Sequence, residues 1–370
     1  MRSDARPLAG LSVVVLGGSG FLGGHIAAVF SQLGARVHAV SRTGGPSTGG
    51  SPSGGPRTDG PPSGESPTAR PGPALHAVPV RLDLLAAAPQ DIAALLDSAG
   101  ADVVVNAAGR AWRAGEEEMA AGNAELVERL VAVLAERPGP PVRLVQLGTV
   151  HEYGAGAPDT ATGEDHPPAP VSAYGRTKLL GTRAVLRAAS ERGVDGVVLR
   201  LANVLGAGVP EGSLFGRVAA HLGAAARAVE RGESAPELRL PPLRAARDLV
   251  DAGDAAAAVL AAATAPGAAV TGRVINVGRG EAVPVRGLIQ RMVSLSGLDV
   301  PVAETSEGAP ARADVARQRL DIARAARLLD WRPRRRLDDS LRDLLAPVLP
   351  PGHAPIRAAA GAPDMEGDAL

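Results

Sequence analysis

The sequence contains no cysteine, and this absence removes several classes of site. Disulfides, thiolate zinc sites and cysteine nucleophiles are excluded. The seven histidines are scattered and form no H-x-x-x-H pair, so no metal site is expected. Aromatic residues make up only 2% of the chain. A core drawn from the 45% of hydrophobic residues must therefore be aliphatic.

Net charge and long apolar runs are also lacking. The 39 basic residues balance 39 acidic ones, which gives no electrostatic reason to expect nucleic acid or an anionic membrane as a partner. No apolar run approaches the ~18 residues of a membrane helix. Arg2 and Arg6 precede the apolar residues 8–16, as in a signal peptide. A glycine loop follows at once, which favours a buried first strand and a cytoplasmic location.

Short runs rich in Val and Leu alternate with stretches of helical period along the first two hundred residues. The predicted strands are 12–16, 36–40, 76–80, 102–105, 142–147 and 196–201. The predicted helices are 21–33, 86–98, 116–136 and 173–192. Nearly continuous apolar strands are typical of a parallel sheet covered on both faces. The pattern predicts an α/β fold, a doubly wound Rossmann sheet with a smaller C-terminal substrate lobe.

Changes in composition suggest the domain boundaries. We expect a dinucleotide-binding domain over residues 8–205 and mainly a substrate-binding lobe over 206–345, with 244–262 returning to the first domain. Residues 43–73 are almost wholly Gly, Pro, Ser and Thr, so they predict a disordered surface insertion. Residues 346–370 predict a flexible tail.

A glycine loop lies between the first predicted strand and the first predicted helix. Its G-x-x-G-x-x-G spacing permits a tight turn and a close approach of the backbone to a pyrophosphate at the helix N-terminus. The alternative is a plain strand–helix turn. The cofactor contacts predicted here are Gly17, Ser19, Gly20, Phe21, Leu22 and Gly23.

The end of the second strand indicates which dinucleotide is bound. No acidic residue stands there to bind a ribose 2′-hydroxyl. Ser41 and Arg42 suit a 2′-phosphate instead, which predicts NADP(H) in preference to NAD(H). The alternative is that Arg42 begins a solvated loop. Further cofactor contacts are predicted at Asp83, Leu84, Ala107, Ala108, Gly109, Tyr174 and Lys178.

Tyr174 and Lys178 form a Y-x-x-x-K pair on one face of a predicted helix. A nearby ammonium is expected to lower the pKa of the phenol towards neutrality and make it a general acid–base. Thr149, at the end of the fifth strand, is the candidate for holding a carbonyl oxygen. An ordinary amphipathic helix is the alternative for the pair alone.

These motifs together resemble the extended short-chain dehydrogenase/reductase family, of the NAD-dependent epimerase/dehydratase type. The resemblance also uses Arg200-Leu201-Ala202-Asn203, Arg247 to Val250, Asn276-Val277-Gly278 and Asp321 to Trp331. It covers about residues 8–345 and departs mainly at the insertion. It implies an enzyme that binds NAD(P) and acts on a nucleotide-linked sugar.

The segment after Thr149 narrows the reaction. In related 4,6-dehydratases this Thr is followed by Asp and Glu, whereas here Val150 and His151 stand there. The chain therefore resembles ketoreductases that act on nucleotide-linked 4-keto-6-deoxyhexoses in deoxysugar and antibiotic biosynthesis. The nucleotide expected from this resemblance is dTDP. Two alternatives stay open: a nucleotide-sugar 4-epimerase, and a non-catalytic NADP-binding regulator.

The resemblance also suggests which residues contact the substrate. Besides Thr149, they are His151, Glu152, Asn203, Arg247 and Arg312. The two arginines are assigned to the diphosphate, with a surface ion pair as the alternative, and His151 equally suits a structural role. A homodimer through helices 116–136 and 173–192 is expected from the family.

Overall fold

Parallel strands run through the centre of the computed structural model, which describes residues 7–44, 77–111, 114–157, 160–305 and 315–351. In chain order the strands are β1 Ser12–Leu16, β2 Arg36–Ser41, β3 Ala77–Arg81, β4 Val103–Asn106, β5 Arg143–Thr149, β6 Gly196–Leu201, β7 Asn203–Leu205, β8 Leu238–Leu240, β9 Ala246–Arg247, β10 Leu249–Asp251, β11 Val274–Val277, β12 Val283–Pro284 and β13 Val302–Glu304. Apart from residues 43 and 44, the predicted insertion lies outside the described residues. So do Arg312 and residues 352–370 of the predicted tail.

The helices alternate with the strands of the first half, as the apolar period predicts. They are α1 Phe21–Gln32, α2 Pro89–Ala99, α3 Glu116–Ala120, α4 Leu126–Glu136, α5 Ala173–Arg192, α6 Leu214–Glu230, α7 Ala252–Thr264, α8 Gly267–Val270, α9 Val285–Ser296, α10 Ala323–Leu329 and α11 Leu337–Leu345. The single helix predicted at 116–136 is interrupted by a π-turn, Ala121–Glu125, between α3 and α4.

The central sheet has seven strands in the order β11-β6-β5-β4-β1-β2-β3, and every pairing within it is parallel. Every residue of β1, β4, β5, β6 and β11 is buried. These strands have no solvent-facing side, which explains their unbroken runs of Val and Leu. The predicted doubly wound Rossmann fold is confirmed.

Helices cover both faces of the sheet. On one face α1 and α7 meet, and the core contains Phe30 from α1 and Val259 from α7. On the other face α2, α4 and α5 pack together, with Leu96 and Leu130 in the core. After residue 205 the chain therefore returns to the Rossmann layers as α7, as β11 and as α10.

A third core belongs to the smaller lobe. It joins α6, α9 and α11 through side chains such as Leu222, Met292 and Leu341, with Leu238 and Leu240 of β8 beneath them. Three two-stranded pairings, β10–β7, β12–β9 and β13–β8, complete this part of the chain. Among the described residues, no helix is both long enough and apolar enough to cross a membrane.

The chain reverses its direction of winding between β1 and β4. From β1 it proceeds outwards to β2 and β3, then returns to add β4, β5 and β6 on the other side. In a doubly wound sheet, loops at the carboxyl ends of the strands diverge at this reversal and leave a crevice. The glycine loop follows β1 and Thr149 ends β5, so both motifs lie at the carboxyl edge of the sheet. Doubly wound sheets generally bind their ligands at this edge.

Candidate active site

The glycine loop packs so tightly that no side chain fits at Gly17 or Gly23. Gly17 has φ +77°, and a Cβ there would lie 2.9 Å from the backbone of Ala108. A Cβ on Gly23 would lie 2.1 Å from the carbonyl oxygen of Gly17. The N-terminus of α1 begins after Gly20, and no side chain caps it. Its first N–H groups therefore point out of the helix without a side-chain partner, as the pyrophosphate of a dinucleotide requires.

The loop after β4 forms the neighbouring wall. The N–H of Ala107 donates to the carbonyl of Leu16 at 3.0 Å, which ties this loop to the end of β1. The buried side chain of Asn106 accepts from the N–H of Ala108 at 3.2 Å. Ala107, Ala108 and Gly109 thus lie beside the glycine loop, where the sequence expects the backbone to pass the cofactor.

The ends of β2 and β3 carry the residues predicted to select the cofactor. Ser41 is buried, and its hydroxyl accepts from the N–H of Gly44 at 3.1 Å. Arg42 is exposed and makes no ion pair with any other described residue. Asp83 is exposed and accepts from the N–H of Leu85, while Leu84 is buried. A guanidinium free of carboxylates suits a phosphate better than a ribose hydroxyl.

Thr149 and Tyr174 are brought together by the packing of α5 on the end of β5. Ser172 caps α5 by accepting from the N–H of Gly175 at 3.1 Å. A Cβ on Gly175 would lie 2.5 Å from the carbonyl of His151, so only glycine allows this approach. The side chain of Thr149 consequently lies beside the Tyr174 phenol and lowers its pKa. The His151 ring lies edge-on to the Tyr174 ring, with centroids 5.8 Å apart.

The electrostatics of Tyr174 differ from the sequence expectation. Burial raises the pKa of Tyr174 to about 12; the hydrogen bond from Thr149 opposes this shift and the charge of Glu152 adds to it. The prediction that Lys178 lowers the phenol pKa towards neutrality is wrong for the protein alone. Desolvation is the largest cause of the shift, and the phenol is protonated at neutral pH.

Lys178 is 6% exposed and lies one helical turn after Tyr174. Its ammonium donates to the carbonyl of Leu147 at 2.5 Å. Burial lowers the pKa of Lys178 to about 8, and the charge of Glu152 opposes that fall. Since about 8 lies above neutrality, Lys178 is mostly charged at pH 7.

The structure brings Asn203 and Arg247 together in a second group, beside residues 315–318. Arg247 is 9% exposed, and its Nη1 donates to the carbonyls of Ala246 and Val315. The amide of Asn203 donates to the carbonyl of Asp248 at 3.0 Å. Arg312, the other predicted diphosphate ligand, lies outside the described residues.

Glu152 does not fit its predicted contact with the substrate. Its side chain is completely buried, and both carboxylate oxygens accept hydrogen bonds from Thr149, Thr182 and Arg200. The cause is an ion pair inside the protein, which motif spacing does not reveal. Glu152 therefore lies behind Thr149.

Sequence reasoning missed Asn123, which the π-turn between α3 and α4 points inwards. Its side chain is 1% exposed, accepts from the N–H of Arg110 and donates to the carbonyl of Arg110. It also donates to the Thr177 hydroxyl at 3.1 Å. Asn123 thereby links the loop after β4 to the helix that carries Tyr174. Its only sequence signal is an amide within a run of small residues. Among the described residues, no cluster of His, Asp and Glu is suited to a metal ion.

Known proteins resemble this chain in sequence. Residues 13–278 match the model of the NAD dependent epimerase/dehydratase family. A dTDP-6-deoxy-L-talose 4-dehydrogenase (NAD(P)(+)) from Kitasatospora kifunensis is 40% identical over 332 residues, which span 90% of this chain and 94% of that protein.

Solved structures with the same fold include MoeE5 in complex with UDP-glucuronic acid and NAD. It has 25% identity and a TM-score of 0.68, and the match covers 90% of this chain and 97% of that one. RMD from Pseudomonas aeruginosa complexed with NADPH has 21% identity and a TM-score of 0.68, and the match covers 91% of this chain and 99% of that one. At that identity, the second shows a shared fold only.

The raised tyrosine pKa is directly measurable, because Tyr153 and Tyr174 are the only tyrosines in the chain. Burial also raises the pKa of Tyr153. An ordinary tyrosine is about three-quarters ionised at about pH 10.5. We expect the near-ultraviolet phenolate absorbance of the native protein to show little ionisation there, with Tyr174 ionising near pH 12.

Protein unfolded in guanidinium is the control and should show two tyrosines that ionise near pH 10. Because the unfolded chain releases these protons first, the free energy of unfolding should fall as the pH rises from about 10 to about 12. A full tyrosine equivalent ionised near pH 10, with the far-ultraviolet circular dichroism still native, would contradict the structure.

Two adjacent glycines provide a matched test of the cofactor loop. In Gly23→Ala the new methyl meets the Gly17 carbonyl, whereas in Gly24→Ala it lies 3.9 Å from the Gly18 carbonyl oxygen, an ordinary contact distance. We expect Gly23→Ala to abolish NADPH binding measured by fluorescence and to lower the thermal midpoint. Gly24→Ala should keep the affinity and gain up to ~1 kcal/mol of stability from helix propensity. Equal behaviour of the two variants would refute the close approach.

Proposed function

Since this chain belongs to the NAD dependent epimerase/dehydratase family, we propose that it interconverts a nucleotide-linked 4-keto-6-deoxyhexose and the corresponding 4-hydroxy sugar. We propose reduction of the ketone by NADPH as its working direction and dTDP as the nucleotide. The observation that carries the proposal is the side chain of Thr149 beside the Tyr174 phenol, with Lys178 one turn further along α5. The relative from Kitasatospora kifunensis is named for this reaction written as an oxidation.

Binding of the cofactor is assigned to the edge formed by the glycine loop and the ends of β2 to β4. Backbone N–H groups at the start of α1 would hold the pyrophosphate, and Ser41 and Arg42 the 2′-phosphate. Gly17 packs directly on the backbone of Ala107 and Ala108, so no side chain stands between these two loops. When bound, the nicotinamide supplies the hydride that is added to carbon 4 of the sugar.

The proton follows a separate path. Tyr174 is protonated at neutral pH because burial raises its pKa to about 12. Its phenol can therefore give a proton to the ketone oxygen as the carbon accepts the hydride, which completes the new hydroxyl. Thr149 donates a hydrogen bond to the same oxygen and holds it in place. Lys178 lies in the next turn, where its charge stabilises the phenolate left after transfer.

The residues that follow Thr149 support a reductase over a dehydratase. Water elimination needs an acid and a base there, but Val150 is 3% exposed and has no proton to transfer. His151 lies against Tyr174 and suits the wall of the sugar site. Asn203 and Arg247 are proposed to bind the rest of the sugar nucleotide. A role in deoxysugar and antibiotic biosynthesis, a cytoplasmic location and a homodimer through α4 and α5 remain predictions.

The direct test is consumption of NADPH with a dTDP-linked 4-keto-6-deoxyhexose. We expect the wild type to oxidise NADPH in stoichiometric amounts and Tyr174→Phe to lose ~10²- to 10⁴-fold in kcat, as for removal of a general acid. Tyr174→Phe should still bind NADPH, which separates lost chemistry from lost folding. Stable NADPH together with conversion of one nucleotide sugar to its 4-epimer would identify an epimerase instead.

Two arginines at opposite ends of β2 provide a matched test of the cofactor preference. Arg36 begins β2, and Arg42 follows its end. We expect Arg42→Ala to raise the Kd for NADPH about tenfold or more, because a hydrogen bond to a charged group is lost, and to leave the Kd for NADH unchanged. Arg36→Ala removes the same charge from the opposite edge and should change neither value. A parallel loss of NADPH and NADH binding in Arg42→Ala would contradict recognition of the 2′-phosphate.

A further inference from the structure

The side chain of Glu152 has no exposed surface, although it follows Thr149 by only three residues. Its Oε1 accepts from the N–H of Thr149 at 2.9 Å. Its Oε2 accepts from the Thr182 hydroxyl at 2.9 Å and from Nε of Arg200 at 2.8 Å. One carboxylate thus joins the end of β5, the middle of α5 and strand β6.

We propose that Glu152 is a positioning residue for the reaction: its buried carboxylate fixes the turn after β5 against α5 so that the hydroxyls of Thr149 and Tyr174 meet. The inference rests on the proposed function, because Thr149 and Tyr174 are its reacting groups. Glu152 touches neither substrate nor cofactor. It acts through the backbone of Thr149 and through its charge.

The space for this carboxylate is built into β5. A Cβ on Gly148 would lie 2.7 Å from Oε1 of Glu152 and 3.2 Å from Cγ of Arg200. Any larger residue at 148 would displace the ion pair. Gly148, Glu152 and Arg200 therefore form one packing unit.

Stability alone does not explain such a pair. Removing two charges from water is costly, and well-packed apolar residues of similar volume often serve as well or better. The pair nevertheless stands directly behind Thr149. Arg200 also lies 4.4 Å above the ring of Tyr153, whose hydroxyl donates to Asn276 at 2.8 Å. The network thus reaches from Thr149 across β6 to β11.

The charge of Glu152 acts on both ionisable groups of the proposed site. It raises the pKa of Tyr174 and also that of Lys178, where it opposes desolvation. The charged and titratable groups around the carboxylate are Tyr174 and Lys178 from α5, Arg200 from β6, His151 and Tyr153 from its own turn, and Glu164, which acts on Tyr153. Neutralising Glu152 should lower the pKa of both Tyr174 and Lys178.

The first variant is Glu152→Gln, which keeps an oxygen for the N–H of Thr149 and removes the charge. We expect kcat to fall ~10- to 100-fold, the range for a small misplacement of reacting groups, while KM changes little. The alkaline limb of the pH profile should move to lower pH, because both pKa values fall. An unchanged kcat and pH profile would overturn the proposal.

Glu152→Gln leaves Arg200 buried without its partner, which is costly to the fold. The double variant Glu152→Gln/Arg200→Met removes both charges and should recover most of the thermal stability. We expect its kcat to stay low and its alkaline limb to stay displaced. Recovery of wild-type rate and profile would show that Glu152 serves the fold alone.

Arg143 and Asp195 form a matched ion pair at the opposite end of β5, 2.7 Å apart with side chains 10% and 20% exposed. The control is Arg143→Met/Asp195→Asn. It should lower the thermal midpoint and leave the pH profile in place. An equal displacement by this control would mean that general destabilisation moves the profile, and would overturn the proposal.

Titration of Tyr174 tests the proposal without substrate. Subtracting the absorbance of Tyr174→Phe from that of the wild type isolates this phenol, and the same subtraction is made with Glu152→Gln in both proteins. We expect Tyr174 to ionise at lower pH when Glu152 is neutral, as long as circular dichroism is native. An unchanged titration would overturn the electrostatic role of Glu152, whereas a wild type inactive on every 4-keto sugar would overturn only the proposed function.

Discussion

The contact between the first turn of α5 and the turn after β5 is the constraint on which the rest of the site depends. It brings the carbonyl of His151 against Gly175, at a distance no side chain would allow. A second glycine on the same helix, Gly181, makes a similar approach to the carbonyl of Asn123 in the π-turn. Helix α5 is thus held on two sides by backbone contacts, and Tyr174 and Lys178 inherit that rigidity.

Burial dominates the chemistry of this site. Desolvation moves the pKa of Tyr174 up and that of Lys178 down, so both groups resist charge. Glu152 then acts in one direction on both, since a buried negative charge favours the protonated form of each. In the protein without ligands, Tyr174 and Lys178 therefore both favour their protonated forms, so the site can donate a proton.

The sequence predicted the order of strands and helices well because each of the central strands is buried on both faces. It also put the glycine loop and Thr149 after or at the ends of two parallel strands, and such ends share one edge of the folded sheet. It failed at Glu152 and Asn123. A buried carboxylate is recognisable only through Arg200 and Thr182, which are distant in the chain and reach it through folding. The π-turn that directs Asn123 inwards cannot be recognised from the apolar period of the sequence, because one extra residue in a single turn changes that period only over a few positions.

Burial of Val150 limits which residues can stand directly after Thr149. Its side chain lies in the core beneath the sheet, next in sequence to Thr149 and two residues before Glu152. An acid at this position would be buried in an apolar core, which strongly disfavours its charged form. A charged acid therefore cannot replace Val150 unless the core around this turn is repacked.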